Sequence, residues 1–172
     1  EGRPSVIAIQ PVAGFDEDEL LRLSASLERG SEHPLADAIV QAARDRSLAP
    51  SEASEFDSPV GRGVTGLVDG RRVVLGNSRY LAELGIAVTL LEAGAEALRH
   101  DGATAIFVTV DGKAAGVLGI ADPVKATTAE AIIALKAAGL RLVMMTGDNR
   151  TTAEAVARQL GIDDVRAEVL PQ

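Results

Sequence analysis

Of the three Asp-Gly dipeptides in the chain, two, Asp69-Gly70 and Asp111-Gly112, stand between runs of β-branched and aliphatic residues. A two-residue turn that follows the twist of paired strands needs φ > 0 at its centre, and Asp-Gly adopts that conformation readily. The flanking runs therefore pair as antiparallel hairpins, Val64–Val68 with Arg72–Leu75 and Ala105–Val110 with Ala114–Ile120. A sheet of this kind buries at least one face, so the segments around it must supply covering helices.

The expected helices follow from local signals. Asp16 and Glu19 open one in capping-box fashion ahead of Leu20, Leu21 and Leu27. Pro34 suits the first turn of another, whose apolar positions Leu35, Ile39 and Val40 run to about Ala43. Two short helices are expected near Ser78–Leu84 and Leu90–Arg99, and Ser5–Val12 reads as a further β-run. Aromatic residues make up only 2% of the chain, so the core must be built from Val, Leu, Ile and Ala.

At Asp122-Pro123 the pattern changes to helix Thr127–Ala138, strand Arg141–Met145, helix Thr151–Leu160 and strand Val165–Val169. Helices alternating with strands imply a parallel sheet. Both helices open on Thr-Thr-Ala-Glu and close at a glycine, Gly139 or Gly161. The chain thus divides into two domains, with a boundary near Asp122.

A net charge of −8 and the lack of any Lys/Arg-rich run argue against a nucleic-acid partner. There is no cysteine, which excludes disulfides, thiol nucleophiles and zinc-thiolate sites. No stretch has the apolar length of a membrane span, and the 172 residues read as a soluble polypeptide.

Gly61-Arg62-Gly63-Val64-Thr65-Gly66 fits G-x-G-x-x-G. A dinucleotide fingerprint needs a helix after the glycines, and here a hairpin follows. A kinase glycine loop does lie on a hairpin, but no H-R-D or D-F-G is present, and neither is a Walker A loop. Spacing alone leaves two readings open, a phosphate cradle and a glycine-rich strand edge with bulges.

Three further features carry paired readings. His33 in Ser31-Glu32-His33-Pro34-Leu35 stands at a helix start, where free N–H groups disfavour the imidazolium; it either caps the helix or meets a planar base. Glu28 either offers a carboxylate to an exocyclic amine or, taken alone, is a solvated surface charge. Thr146-Gly147-Asp148-Asn149 follows an apolar run and precedes a helix; Asp148 or Asn149 either caps that helix or helps hold a phosphate.

Taken together these residues resemble the heavy-metal-transporting P-type ATPases, most closely the copper(I) pumps. Ser31-Glu32-His33-Pro34-Leu35, Gly61-Arg62-Gly63-Val64, Gly76-Asn77, Asp122-Pro123-Val124-Lys125 and Thr146-Gly147-Asp148-Asn149 occur in that family's order and at similar separations. The resemblance implies an α+β nucleotide-binding (N) domain, an antiparallel sheet flanked by helices, inserted in an incomplete α/β phosphorylation (P) domain of haloacid-dehalogenase type. Residues 1–10 would begin the P-domain segment, 11–120 would form the N-domain and 121–172 would be partial P-domain.

It further implies ATP or ADP as ligand, with magnesium in the intact enzyme and the rest of the pump as partner. Glu28 and His33 would hold the adenine. Gly61, Gly63, Val64, Gly76 and Asn77 would complete the nucleotide cleft. Thr146 and Asp148 would lie near the γ-phosphate, and Asp122 and Lys125 at the hinge. No metal site is expected here, because the transported ion is chosen in membrane helices.

The departures define a fragment. The family's phosphorylated aspartate lies in D-K-T-G-T and its later magnesium motif in G-D-G-x-N-D, and neither occurs in these 172 residues. The chain is therefore expected to be an excised piece from the cytoplasmic face of the pump that binds nucleotide without forming a phosphoenzyme. Copper is preferred over zinc, cadmium or lead by resemblance around Ser31–Leu35 and in Ala167-Glu168-Val169-Leu170-Pro171. A non-catalytic nucleotide-binding module is the other alternative. A stand-alone phosphatase of haloacid-dehalogenase type is the poorer one, for want of a D-x-D nucleophile motif.

Overall fold

A computed structural model of the protein describes residues 3–124 and 126–169. Its strands β1 (Ser5–Pro11), β2 (Ala53–Asp57), β3 (Gly63–Val68), β4 (Arg71–Gly76), β5 (Thr104–Val110) and β6 (Lys113–Ala121) form one sheet in the order β1-β6-β5-β4-β3-β2. Every neighbouring pair is antiparallel. Both hairpins turn as expected. Asp69 and Gly70 have φ of 50° and 74°, Asp111 and Gly112 of 51° and 74°, so both central residues of each turn are left-handed.

Helices α1 (Glu17–Glu28), α2 (Pro34–Asp45), α3 (Ser78–Glu83) and α4 (Thr89–His100) cover the sheet. Asp16 caps α1, its carboxylate accepting from Glu19 N at 2.7 Å. Strand alternation sorts the core in two. Val73, Leu75, Val108 and Leu118 point to the α1/α2 face and pack with Leu20, Leu27 and Ile39. Val74, Phe107 and Val117, one residue out of step, meet Leu81, Ala95 and Leu98 of α3 and α4. The central strands are buried on both faces, which is why they read as nearly continuous apolar runs.

Two features differ from expectation. Strand β2 has no counterpart among the expected elements, because Ala53–Asp57 is polar and its pairing with β3 is broken by a bulge between Ser54 and Asp57, where Glu55 has φ 51°. Such irregularity suits an edge strand, which a polar, kinked backbone protects from further pairing. Strand β1 pairs with β6 from Ser5↔Ala121 to Pro11↔Gly116. Residues 5–10 are therefore an edge strand of the antiparallel sheet, a pairing that reading Ser5–Val12 as a β-run leaves unassigned.

Beyond Asp122 lie α5 (Ala126–Ala137), β7 (Val143–Met145), α6 (Arg150–Leu160) and β8 (Asp164–Arg166), with β7 and β8 parallel. Both strands are shorter than their apolar runs suggested. Gly161 ends α6 at φ 68° in the left-handed conformation that a Cβ disfavours. Helix α6 docks on the first domain, where Thr152 Oγ1 donates to Ala103 O and Thr151 Oγ1 to Glu96 Oε1, both at 2.9 Å. Ile133, Leu135, Leu140 and Met145 stay exposed, leaving an apolar surface on the α/β part.

One core residue is mismatched. Thr109 in β5 is fully buried and its hydroxyl has no partner among the described residues. An orphaned buried hydroxyl costs about 1–3 kcal/mol, and Val has nearly the same shape without it. Thr109→Val is expected to raise the thermal midpoint by about 2–4 °C per kcal/mol recovered. A lower midpoint in a thermal scan would show that the hydroxyl is satisfied.

Candidate functional site

Ion pairs show how α1 aligns with the sheet. Near its start, Glu19 pairs with Arg71 and Arg22 with Asp69, each at 2.8 Å, fixing this part of the helix over the hairpin turns. The remaining turns carry it to the opposite end of the sheet. There Leu27 packs against Gly66, and Glu28 closes the helix. At that same end β3 begins at Gly63 and β4 finishes at its register partner Gly76. The fold thus brings Glu28, Gly63, Gly76 and Asn77 to one end of the sheet.

Glu28 is only 7% exposed, and its Oε2 is buried with no partner among the described residues. The surface-charge expectation for this residue is wrong, because the fold takes the carboxyl at the end of α1 out of water. Burial pushes its pKa up, and the Ser31 hydroxyl opposes this. A buried acceptor without a donor is costly, and a donor that met the carboxyl after a turn of its side chain would remove that cost.

The chain reversal to α2 is held by short-range bonds, Ser31 N to Glu28 O at 2.9 Å and His33 N to Ser31 Oγ at 3.3 Å. His33 is exposed and caps α2, its Nδ1 accepting from Leu35 N at 3.2 Å. That bond places the proton of the neutral ring on Nε2. Capping and ligand recognition are therefore compatible, because they use different ring nitrogens.

The glycine motif separates residue by residue. Gly63 has φ 154°, and a Cβ there would lie 2.0 Å from Leu75 O. At Gly66 a Cβ would lie 2.7 Å from Leu27 Cδ1, and at Gly76 2.8 Å from Arg62 O. Close packing accounts for these three. At Gly61, with φ 71°, a Cβ would meet nothing within 4 Å. Val64 is 5% exposed and belongs to the α1/α2 core. Asn77 caps α3 through Tyr80 N at 2.8 Å, and its amide nitrogen donates to Gly61 O at 3.4 Å, tying the turn to the helix.

The second group lies beyond β7. Thr146 Oγ1 donates to Asp148 Oδ2 at 2.7 Å and accepts from Asp148 N at 3.1 Å. Asn149, rather than Asp148, caps α6, accepting from Thr152 N at 2.9 Å. Asp148 and Asp122 line one cavity of about 510 Å³ together with Pro4, Thr128 and Met144. Leu35, two residues beyond His33, lines it too, so the cavity runs from the start of α2 to the α/β part. Lys125, expected at the hinge, lies outside the described residues, as do Leu170 and Pro171.

Among the described residues no group of three His, Asp or Glu side chains is placed to hold a metal. Magnesium, which the family resemblance implies, takes one or two carboxylates and completes its shell with water and substrate phosphates, so its site needs no such group. The letters D-x-D do occur, as Asp16-Glu17-Asp18, but Asp16 caps α1 and Asp18 pairs with Arg46 at 2.9 Å. Both acids thus have structural partners. Arg62, which no motif reading singles out, pairs with Glu83 Oε2 at 2.7 Å. Its signal in the sequence is that it is the one cation inside the glycine motif.

The fold is thus an antiparallel domain joined to a small α/β unit, with the end of α1 and the glycines of β3 and β4 at one end of the sheet. The model of the haloacid dehalogenase-like hydrolases matches residues 3–172, and the chain belongs to that family. A copper-transporting P-type ATPase of Rhizobium leguminosarum bv. viciae is 52% identical over all 172 residues, which cover 20% of its length. A zinc-transporting PIB-type ATPase solved in an E2.Pi state superposes with a TM-score of 0.74 at 34% identity, over 98% of this chain and 27% of that one.

The solved N-domain of a copper-transporting P-type ATPase matches with a TM-score of 0.59 at 27% identity, over 69% of this chain and 99% of that one. The chain therefore spans about a fifth of the length of the curated relative. The resemblance to heavy-metal P-type ATPases, with an N-domain-like sheet and a haloacid-dehalogenase-like part, is borne out. Among the described residues no helix is long and apolar enough to cross a membrane.

Proposed function

We propose that this chain is the nucleotide-delivering part, on the cytoplasmic face, of a P-type ATPase that couples ATP hydrolysis to copper(I) export. The observation that carries the nucleotide reading is the buried Glu28 oxygen without a partner, next to a histidine whose Nε2 is free to donate. An adenine amino group supplies the donor that Glu28 lacks, and the His33 ring offers both a face and an N–H. Gly61 leaves the turn backbone open to the sugar-phosphate. Asp148 and Asp122 share a cavity toward which the distal phosphate would be carried.

In the whole pump, in-line attack on the γ-phosphate would be made by an aspartate of D-K-T-G-T, a motif these residues do not contain. The role left to this chain is to bind and orient. Magnesium would there offset phosphate charge. Copper rests on the similarity to a copper-transporting relative. A zinc-type pump is the second reading, favoured by the structural likeness to a zinc-transporting ATPase.

Calorimetric titration with ATP, ADP and GTP tests the nucleotide reading. ATP and ADP are expected to bind with constants from about 0.1 to 1 mM, or about 4–6 kcal/mol. GTP should bind at least tenfold more weakly, since guanine turns a carbonyl toward the Glu28 carboxylate where adenine turns an amine. Equal affinity for ATP and GTP, or no saturable binding, would overturn it.

A further inference from the structure

We infer that Arg62 is the cation that receives the nucleotide's phosphates, and that Glu83 holds it aside until they arrive. The inference rests on the nucleotide reading above. The turn that carries Arg62 is anchored through its backbone. Arg62 N donates to Pro59 O at 3.2 Å, Arg62 O accepts from Asn77 N at 3.4 Å, and Gly61 O accepts from the Asn77 amide at 3.4 Å. What can move is the side chain.

That side chain pairs with Glu83 Oε2 at 2.7 Å, and both partners are substantially exposed, 55% and 36%. An exposed pair is weak and easily exchanged for a stronger one. Glu83 also faces Arg79 Nε at 3.5 Å, so it keeps a partner when Arg62 leaves. On a chain of net charge −8, a polyphosphate approaching the sheet end needs a local cation. Arg29, next to Glu28, turns toward Pro50 O at 3.5 Å. Arg62 sits between Gly61, which leaves backbone open, and Gly63, which the sheet pins. Its planar fork matches phosphate oxygens in pairs, and a phosphate of higher charge competes well against one carboxylate.

The test titrates ATP and adenosine into the wild-type chain, Arg62→Gln, Glu83→Gln and the double variant. Arg62→Gln is expected to weaken ATP by about five- to tenfold and adenosine by less than about twofold. Glu83→Gln should strengthen ATP by about two- to fivefold, a gain that vanishes in the double variant and shrinks at high salt. Arg62→Gln shifting ATP and adenosine equally, or neither, would overturn the inference, as would Glu83→Gln weakening ATP. If adenosine binds and ATP binds no tighter, the phosphate assignment alone fails. If adenosine does not bind at all, the nucleotide reading fails and this one with it.

Discussion

Glu28→Gln is expected to make the chain more stable and a poorer binder of ATP. The carboxyl is buried at the end of α1 with one oxygen unpaired, so its ionised form is held in an environment that disfavours charge. Burial raises its folded pKa above the unfolded value. The native state then binds the proton more tightly than the unfolded state, and stability falls as pH rises through the window between those two values. Below the unfolded pKa, about 4.3 for Glu, no cost is present; above the raised folded value it is fully present.

Gln carries no charge and escapes that cost. The variant should exceed wild type by about 1–2 kcal/mol near pH 8, or about 2–8 °C in midpoint, with the difference closing toward pH 4. ATP affinity should fall by about tenfold, because a neutral acceptor forms a weaker bond to the adenine amine than a carboxylate does. Thermal scans at the two pH values with parallel calorimetry read both effects. A variant less stable than wild type near pH 8 would mean that Glu28 is compensated within the fold. A stabilised variant with unchanged ATP affinity would place the nucleotide elsewhere.

Much of this architecture is legible in the sequence, for identifiable reasons. The Asp-Gly turns fix register through local geometry, and alternation in Val73-Val74-Leu75 then assigns each side chain to a face. Caps at Asp16 and Asn149 are read from side chains that bond within three residues. What the sequence hides is non-local. Strand β2 takes its conformation from pairing with β3, so its polar letters carry no signal. The pairing of β1 with β6 joins residues more than a hundred apart, and nothing within Ser5–Pro11 names its partner.

The candidate site divides along the same line. His33 as a cap follows from position alone, whereas the burial of Glu28 does not. A glutamate at a helix end is ordinarily solvated, and only the packing of α1 against the rest of the domain takes this one out of water. The five motif segments propose the site through family resemblance, and the structure adds which residues in and around them are constrained by packing. Gly63, Gly66 and Gly76 are needed by their neighbours, while Gly61 is not.

That division yields opposite expectations for two nearby substitutions. Gly63→Ala places a methyl 2.0 Å from Leu75 O and 2.7 Å from Gly76 Cα, both backbone atoms that cannot step aside without parting β3 from β4. A φ of 154° is in addition reserved for glycine. The variant should lose about 3 kcal/mol or more, a large share of the about 5–15 kcal/mol that holds a domain together. Its midpoint should fall by about 6 °C or more. Gly61→Ala meets no neighbour and bears only the strain of φ 71°, about 1–2 kcal/mol.

Yet Gly61→Ala should be the more informative for binding, because its methyl stands in the open space through which phosphate would approach the turn. ATP affinity is expected to drop about tenfold in a chain that remains folded, with adenosine affinity little changed. Thermal scans and paired titrations separate the two cases. Should Gly61→Ala bind ATP as wild type does, the phosphates do not approach this turn, and the glycine spacing is a requirement of the sheet alone. Should it lose ATP selectively, one motif serves two ends: Gly63 lets the strands close, and Gly61 leaves the backbone bare for the ligand.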